Sequence, residues 1–434
     1  MANQQVRPIV GRLLTPMLLP ATRLWILGVV MLFVFSPTSI DLADRLTVVV
    51  LYAVLFFYPL SYGLWSTKTA AHSISYESPR IPLLLFMLFF QLVSISISTQ
   101  YYTGSTIIKA FGDAMSGANA YAEYQRHFSQ AAIGQATLLA KALYIVLLAL
   151  AKLATVFFIA NFFLAARRTP VLFLCAFASS GFYLAFGLAR GTFFEVFELA
   201  TAYAYFWGIT ANLQELRGRV RKSKLFRFVI VTTPIALVTL FVANALRRYD
   251  DTTAFFSQCS PNFCFDAHGF PFAIEYPLYL LTVYFGNGAY FLAKLYDATV
   301  FHGEWSYLIP FVSIRDFSLN DFGVRNFMCG VYVECKFVWI PEVATLISIF
   351  GILAVPLTSL IYSGARRFEH WVFYSPALAK VMTLYFVFLF LISLPVANFL
   401  LISSSSVLCL ALLLFWLFLT APSRLGNRRI VERA

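Results

Sequence analysis

In the run Ala189-Arg190-Gly191-Thr192, a single arginine separates two long apolar stretches, Val171–Ala189 and Phe193–Ala211. A guanidinium at the edge of a bilayer is costly unless it snorkels to water or meets an anion, so such a charge is a candidate for function by default. Its planar fork fits phosphate, and a diphosphate is the anion that a lipid-tailed substrate presents at this depth. Gly191 beside it allows close approach of backbone to ligand. The structural alternative is an arginine that bonds helix-turn carbonyls or pairs with Glu195 or Glu198.

Further cations flank a long polar segment. Arg247 and Arg248 stand at its start, where a basic pair also suits lipid headgroups. Arg315 and Arg325 stand near its end, as a second phosphate clamp or as partners of Asp316 and Asp321. His268 and His302 lie in the same segment, and imidazole is the side chain most easily tuned to take a proton near neutral pH. Asp316, Asp321 and Glu304 are rival bases. Asp250-Asp251 alone is a weak metal signal, and no metal site or cofactor is expected.

Cys259, Cys264, Cys329 and Cys335 share that segment, and an even set of thiols in an oxidising compartment reads as one or two disulfides. Their C-x4-C and C-x5-C spacing is looser than a usual zinc pair. Cys175 and Cys409 fall inside apolar runs and read as packing residues. Tyr276, Tyr279, Tyr284, Tyr290, Tyr296, Trp305 and Tyr307, with Tyr101, Tyr102, Tyr121 and Tyr124 upstream, can stack on sugar rings, although an interfacial aromatic belt contains the same residue types. No G-x-x-x-x-G-K-[ST] loop, H-E-x-x-H or G-x-S-x-G occurs, which leaves ATP-driven, zinc-protease and serine-hydrolase chemistry without support.

The elements that must position these groups follow from composition. With 60% hydrophobic and only 12% charged residues in 434, the chain carries more apolar surface than a soluble domain can bury. The expected fold is all-α: a single polytopic transmembrane domain over residues 1–434, with about ten spans. They centre on 24–35, 47–64, 81–98, 139–164, 171–189, 193–211, 228–245, 340–361, 378–394 and 405–419. Arg7 is not followed by a short apolar run with a small-residue cleavage site, so the first span is expected to be retained.

Most of the 32 Lys/Arg fall on alternate ends of this ladder, including Arg167, Arg168, the cluster 217–227, Arg366, Arg367 and Arg424–Arg433. Excess positive charge marks the cytoplasmic face, so both termini are expected inside and Arg190 at the outer surface. The +12 net charge then reflects topology and anionic inner-leaflet lipid, with no call for nucleic acid. Two outer connections are long, 99–138 and 247–339, and long loops usually carry function. Within the second, Tyr276–Tyr296 is apolar but broken by Pro277 and Gly286-Asn287-Gly288, which suits a re-entrant or interface-lying segment. No internal repeat and no pair of matching interrupted spans is visible, which weighs against many transporter designs.

Taken together, Ala189-Arg190-Gly191 joining two spans outside, the stretch Tyr284–Leu295 (YFGNGAYFLAKL), and Asn326–Gly351 leading back into the membrane resemble the bacterial O-antigen (oligosaccharide repeat-unit) polymerase family, relatives of the O-antigen ligases. The layout, with one dominant periplasmic loop late in a multi-span inner-membrane protein, is similar over nearly the whole chain. The Asp321-Phe322-Gly323 element stands earlier than in the family pattern, and Pro341-Glu342 occupies the re-entry.

The resemblance implies metal-independent glycosyl transfer at the periplasmic face of the inner membrane, with undecaprenyl-diphosphate-linked oligosaccharides as donor and acceptor. Membrane lipids are further partners, and a chain-length regulator protein is one the resemblance allows. On this reading Arg190 is the principal diphosphate ligand with Arg315 and Arg325 as helpers, and His302 or Asp316 is the base. An O-antigen ligase is the nearest alternative. A lipid-linked oligosaccharide flippase or other transporter, and a structural membrane subunit, are the alternatives of other classes.

Overall fold

The computed structural model describes residues 13–14, 18–59, 69–70, 79–115, 123–124, 126–127, 138–165, 169–192, 194–216, 239, 262–266, 268–300, 309, 328, 331–333, 341–374, 377–396 and 404–420. The expected span at 228–245, apart from Thr239, both chain termini and much of the 247–339 connection lie outside them.

The described residues form a helical bundle. In chain order it contains α1 (Leu18–Phe35), α2 (Leu42–Tyr52, continued by a π-helical turn Ala53–Phe57), α3 (Ile81–Thr103), α4 (Ile107–Met115), α5 (Leu138–Leu164), α6 (Pro170–Ala189) and α7 (Phe194–Leu216). There follow α8 (Phe272–Leu281), joined by the π-helical turn Thr282–Gly286 to α9 (Asn287–Val300), then α10 (Glu342–Phe350), α11 (Ala354–Tyr374), α12 (Leu378–Ser393) and α13 (Ser404–Thr420). A two-residue antiparallel pairing, β1 (Leu13–Leu14) with β2 (Thr69–Ala70), ties the chain before α1 to the chain after α2.

The side chains are distributed for lipid as solvent. On α3, Gln91, Ser94, Ser98 and Thr99 are fully buried, while Phe86, Phe89, Val93 and Ile97 point outward. On α1, Leu24, Leu27, Met31 and Phe35 form an exposed stripe opposite the buried Ile26, Val29 and Phe33. A water-soluble helix shows the opposite pattern, with polar residues outside. In a bilayer, where lipid tails are as apolar as leucine, helices associate through close packing and interhelical hydrogen bonds instead. The Gln91 amide does this: Nε2 donates to Thr155 Oγ1 (2.7 Å) and to the carbonyls of Ser179 (3.2 Å) and Ala151 (3.4 Å), joining α3, α5 and α6.

Among the described residues, four helices, α1, α3, α5 and α6, are long and apolar enough to cross a bilayer core, and α12 and α13 are shorter apolar helices. The chain is thus a helical protein with the character of a membrane-embedded bundle. α12 is its central rod, buried almost without interruption from Lys380 to Ser393. Its far end is held by Trp25 Nε1 donating to Ile392 O (2.8 Å) and by Tyr52 Oη donating to Pro395 O (2.5 Å).

Arg45 locks the α1–α2 hairpin. Its guanidinium donates to the carbonyls that end α1 and form the turn, including Ser36 O (3.1 Å) and Thr38 O (2.7 Å), while Nε reaches Ile40 O (3.1 Å). Those carbonyls have no helical partner of their own.

The expected span at 340–361 is broken. Gly351, at φ 55, ends α10, and α11 resumes after a short 3-10 turn and continues to Tyr374. The aromatic stretch around 276–296 is helical through its glycines. Its contacts gather where α1 ends, α2 begins and α12 ends: Gly286 packs on Phe33, Gly288 on the Val396 carbonyl, and Lys294 Nζ pairs with Asp44 (2.8 Å). Burial works against the Lys294 ammonium, but the Asp44 hydrogen bond and nearby charges outweigh it and hold its pKa above the ordinary value.

Candidate functional site

Arg190 is the C-cap of α6. Gly191 follows at φ 62, Gly191 N bonds Leu188 O (2.9 Å) and Thr192 N bonds Gly187 O (2.9 Å), the paired closure of a helix that ends in a left-handed residue. This closure accounts for Gly191, since only glycine takes that conformation without strain. A cation at this position also complements the negative end of the helix dipole.

The arginine side chain, 12% exposed, folds onto the first turn of α7 and pairs with the Glu195 carboxylate, which is 2% exposed. Thr192 Oγ1 donates to the other Glu195 oxygen (2.7 Å). Three rings surround the guanidinium, with centroids at 4.2 Å (Phe186), 5.4 Å (Tyr102) and 5.5 Å (Tyr124). Arg190 Nε is buried and makes no hydrogen bond. The result is a pinned cation inside an aromatic collar, its orientation fixed by one carboxylate and one donor left unused.

One turn further along α7, Glu198 meets a second cation. Lys152 Nζ stands 2.7 Å from Glu198 Oε1 and 2.5 Å from Ser406 Oγ, with both charged side chains 5% exposed. Tyr183 Oη donates to Glu198 Oε2 (2.5 Å), and Tyr385 Oη to the Glu198 carbonyl (3.0 Å). Lys152 lies roughly 20 Å from each end of α5 at 1.5 Å per residue, which puts this pair deep in the bundle. Lys152, Thr155, Tyr183, Glu198 and Tyr385 line a cavity of about 10 Å³, near the room one water molecule needs.

No family model, curated protein or solved structure matches this chain.

The other sequence candidates are placed as follows. His268 is exposed, its Nδ1 2.7 Å from Asp266 O, and its backbone N donates to Glu275 Oε1 (2.8 Å), so it belongs to the entry of α8. Cys264 is disulfide-bonded, whereas Cys175 and Cys409 are free and buried. Cys259, Cys329 and Cys335 lie outside the described residues. Arg247, Arg248, His302, Arg315, Asp316 and Arg325 also lie outside them.

Among the ring candidates, Tyr102 and Tyr124 collar Arg190, while Tyr276 and Tyr279 are buried against Phe265 as core. The sequence does not mark the Lys152–Glu198 pair as a site, because its residues come from separate helices. Its signal in the sequence is a lysine within an apolar span that also holds Lys141.

Proposed function

We propose that this protein is a metal-independent glycosyltransferase that polymerises undecaprenyl-diphosphate-linked oligosaccharide repeat units at the periplasmic face of the bacterial inner membrane, in O-antigen or surface polysaccharide biosynthesis. The supporting topology is about ten spans, inferred from the apolar runs, with both termini in the cytoplasm, inferred from the distribution of Lys and Arg. The observation that carries the reading is Arg190: a guanidinium at the joint of two apolar helices, pinned by Glu195 and walled by Phe186, Tyr102 and Tyr124.

In the reaction the bond from the donor sugar's anomeric carbon to its phosphate breaks, and a bond to the acceptor hydroxyl oxygen forms. The hydroxyl proton passes to a base, for which His302 and Asp316 are the candidates. A preoriented cation that grips the departing diphosphate more tightly as its charge builds lowers the barrier. Tyr102 and Tyr124 offer ring faces to the adjoining sugar, and Arg315 and Arg325 are candidates for a second phosphate contact.

The test is elongation of defined lipid-linked units by purified protein. Arg190→Ala is expected to abolish chain growth at unchanged protein level, and Arg190→Lys to restore it poorly because the planar fork is lost. Long chains of normal yield from Arg190→Ala would remove Arg190 from the centre. In cells, loss of a polymerase leaves a core capped with one repeat, whereas loss of a ligase leaves a bare core.

The Lys152–Glu198 pair favours a second reading, a lipid-linked oligosaccharide flippase or other transporter, since ionisable pairs deep in a bundle often mark translocation paths. Transport of a lipid-linked repeat into vesicles without chain growth would support that reading.

A further inference from the structure

Hydroxyls in the apolar helices of this bundle ordinarily turn back on their own helix. Ser96, Thr99 and Ser180 donate to the carbonyls of Leu92, Ile95 and Ala176, each one turn earlier, at 2.8 Å. Three serines do not. Ser94 and Ser98 on α3 and Ser179 on α6 are fully buried, and their Oγ atoms have no hydrogen-bond partner among the described residues. Gln91 Oε1 is in the same condition, although Nε2 of that amide is engaged.

These groups lie along one seam. Positions 91, 94 and 98 follow one another along a single face of α3, the face buried against α5 and α6. Gln91 Nε2 reaches the Ser179 carbonyl, which sets Ser179 at the same level. On one side the seam continues through Thr155, whose Oγ1 accepts from Gln91 and which also lines the cavity beside Lys152, Tyr183 and Glu198. In the other direction Ser98 stands one turn from Tyr102, whose ring faces the Arg190 guanidinium.

A buried hydroxyl or amide oxygen without a partner is costly, and in native proteins such groups are met by ordered water where several polar groups converge. Water suits this set of groups better than a cation does. It donates to Gln91 Oε1, which only accepts, and it both gives to and takes from a serine hydroxyl. A cation would meet the Lys152 ammonium at the end of the seam, where the Glu198 carboxylate is already engaged by Lys152 and Tyr183.

We propose that the seam between α3, α5 and α6 binds a file of water molecules, held by Ser98, Ser94, Ser179 and Gln91, that leads from the Arg190 end of the bundle to the Lys152–Glu198 pair. The file puts an ion pair deep in the bundle in contact with water without parting the helices. It is independent of the glycosyl-transfer reading.

The experiment places a thiol along the seam of the purified full chain, as Ser94→Cys, Ser98→Cys, Ser179→Cys or Thr155→Cys, and exposes it to silver ion, a thiol reagent comparable in size to water. Loss of the added thiol is counted against the unaltered protein. A thiol reacts as thiolate, which forms only where it is solvated. The seam thiols are expected to react at least about tenfold faster than those of Val93→Cys and Ile97→Cys on the outward face of the same helix. Equally slow reaction on both faces would overturn the proposal, and reaction at 94 and 98 without reaction at 155 would overturn the connection to the ion pair. Ser94→Ala and Ser98→Ala give a second measurement that removes only the hydroxyl. Where water bonds to that hydroxyl, its loss lowers the melting midpoint, whereas in a dry seam the removal of an unmet hydroxyl leaves the midpoint unchanged or raises it, which would sink the idea. A midpoint of the unaltered protein that rises with sodium chloride but not with choline chloride would assign the seam to a cation instead.

Discussion

Gly187 and Glu195 are in such close contact that a Cβ built on Gly187 would fall 2.8 Å from Glu195 Oε2 and 2.9 Å from its Cβ. The missing side chain of one residue is the space that admits the carboxylate of the other. Since Glu195 holds Arg190, the glycine sets the position of the cation at one remove.

Gly187→Ala is therefore expected to push Glu195 away and release the arginine. Neither Arg190 nor Glu195 is altered, so the predicted loss is one of positioning. If Arg190 acts on a leaving diphosphate, elongation should fall by about 10²-fold, the cost of misplacing a catalytic group by an ångström. The quantity to measure is the rate of chain growth, with the protein's membrane abundance as control. An unchanged rate would mean that Glu195 does not orient Arg190 for chemistry.

The pair Lys152–Glu198 makes a different prediction, because two opposite charges buried together fail asymmetrically. Removing one leaves the other stranded, which costs about 3–5 kcal/mol, whereas replacing both with apolar residues of similar size is often close to neutral. Lys152→Met and Glu198→Leu should each lower the melting midpoint in detergent sharply, and the double variant should recover most of it. A double variant as unstable as the sum of the two would show that Ser406, Tyr183 and Tyr385 depend on the charges.

These two sites differ in how far sequence alone reveals them. Arg190 and Glu195 are close in the chain, so a short turn between apolar runs brings them within reach before any fold is known, although the spacing offers Glu198 as well and only the fold gives that residue to Lys152. Lys152 and Glu198 are separated by 46 residues, and their meeting depends on the rotational phase of α5 against α7. Apolar runs on all sides of a membrane helix do not report that phase. The buried face of α3 is likewise marked by its polar residues Gln91, Ser94, Ser98 and Thr99, recognisable once lipid is taken as the solvent.

Glycine in the Gly286-Asn287-Gly288 motif reads as an interruption, yet the chain stays helical there because the residues serve packing. A Cβ at Gly288 would run into the Val396 backbone carbonyl, and one at Gly286 would meet Thr282 Cγ2 within its own π-helical turn and Phe33 at 3.2 Å. Gly288→Ala is expected to destabilise the protein by about 1–3 kcal/mol, because a backbone carbonyl cannot swing aside as a side chain can. Protease sensitivity of the segment around α8 and α9 should rise with it. Wild-type resistance in Gly288→Ala would show that the end of α12 yields.

His370 makes stability depend on pH. Burial first, and the neighbouring Arg366 guanidinium second, hold its pKa below the ordinary 6.5. The unfolded chain therefore binds this proton more readily than the folded one. Above about pH 6.5 both states leave the imidazole neutral, and its contribution is fully present. As pH falls below that value the unfolded state is favoured, and the loss is complete once pH passes the folded-state pKa. Melting midpoints measured from pH 8 to pH 5 should decline at the acid end, and His370→Gln should remove part of that decline. Arg366→Gln takes away the guanidinium's share of the shift, so it should reduce the decline to an intermediate extent. An acid-end decline equal in all three proteins would assign it to the carboxylates instead, including the Glu369 group that caps α1.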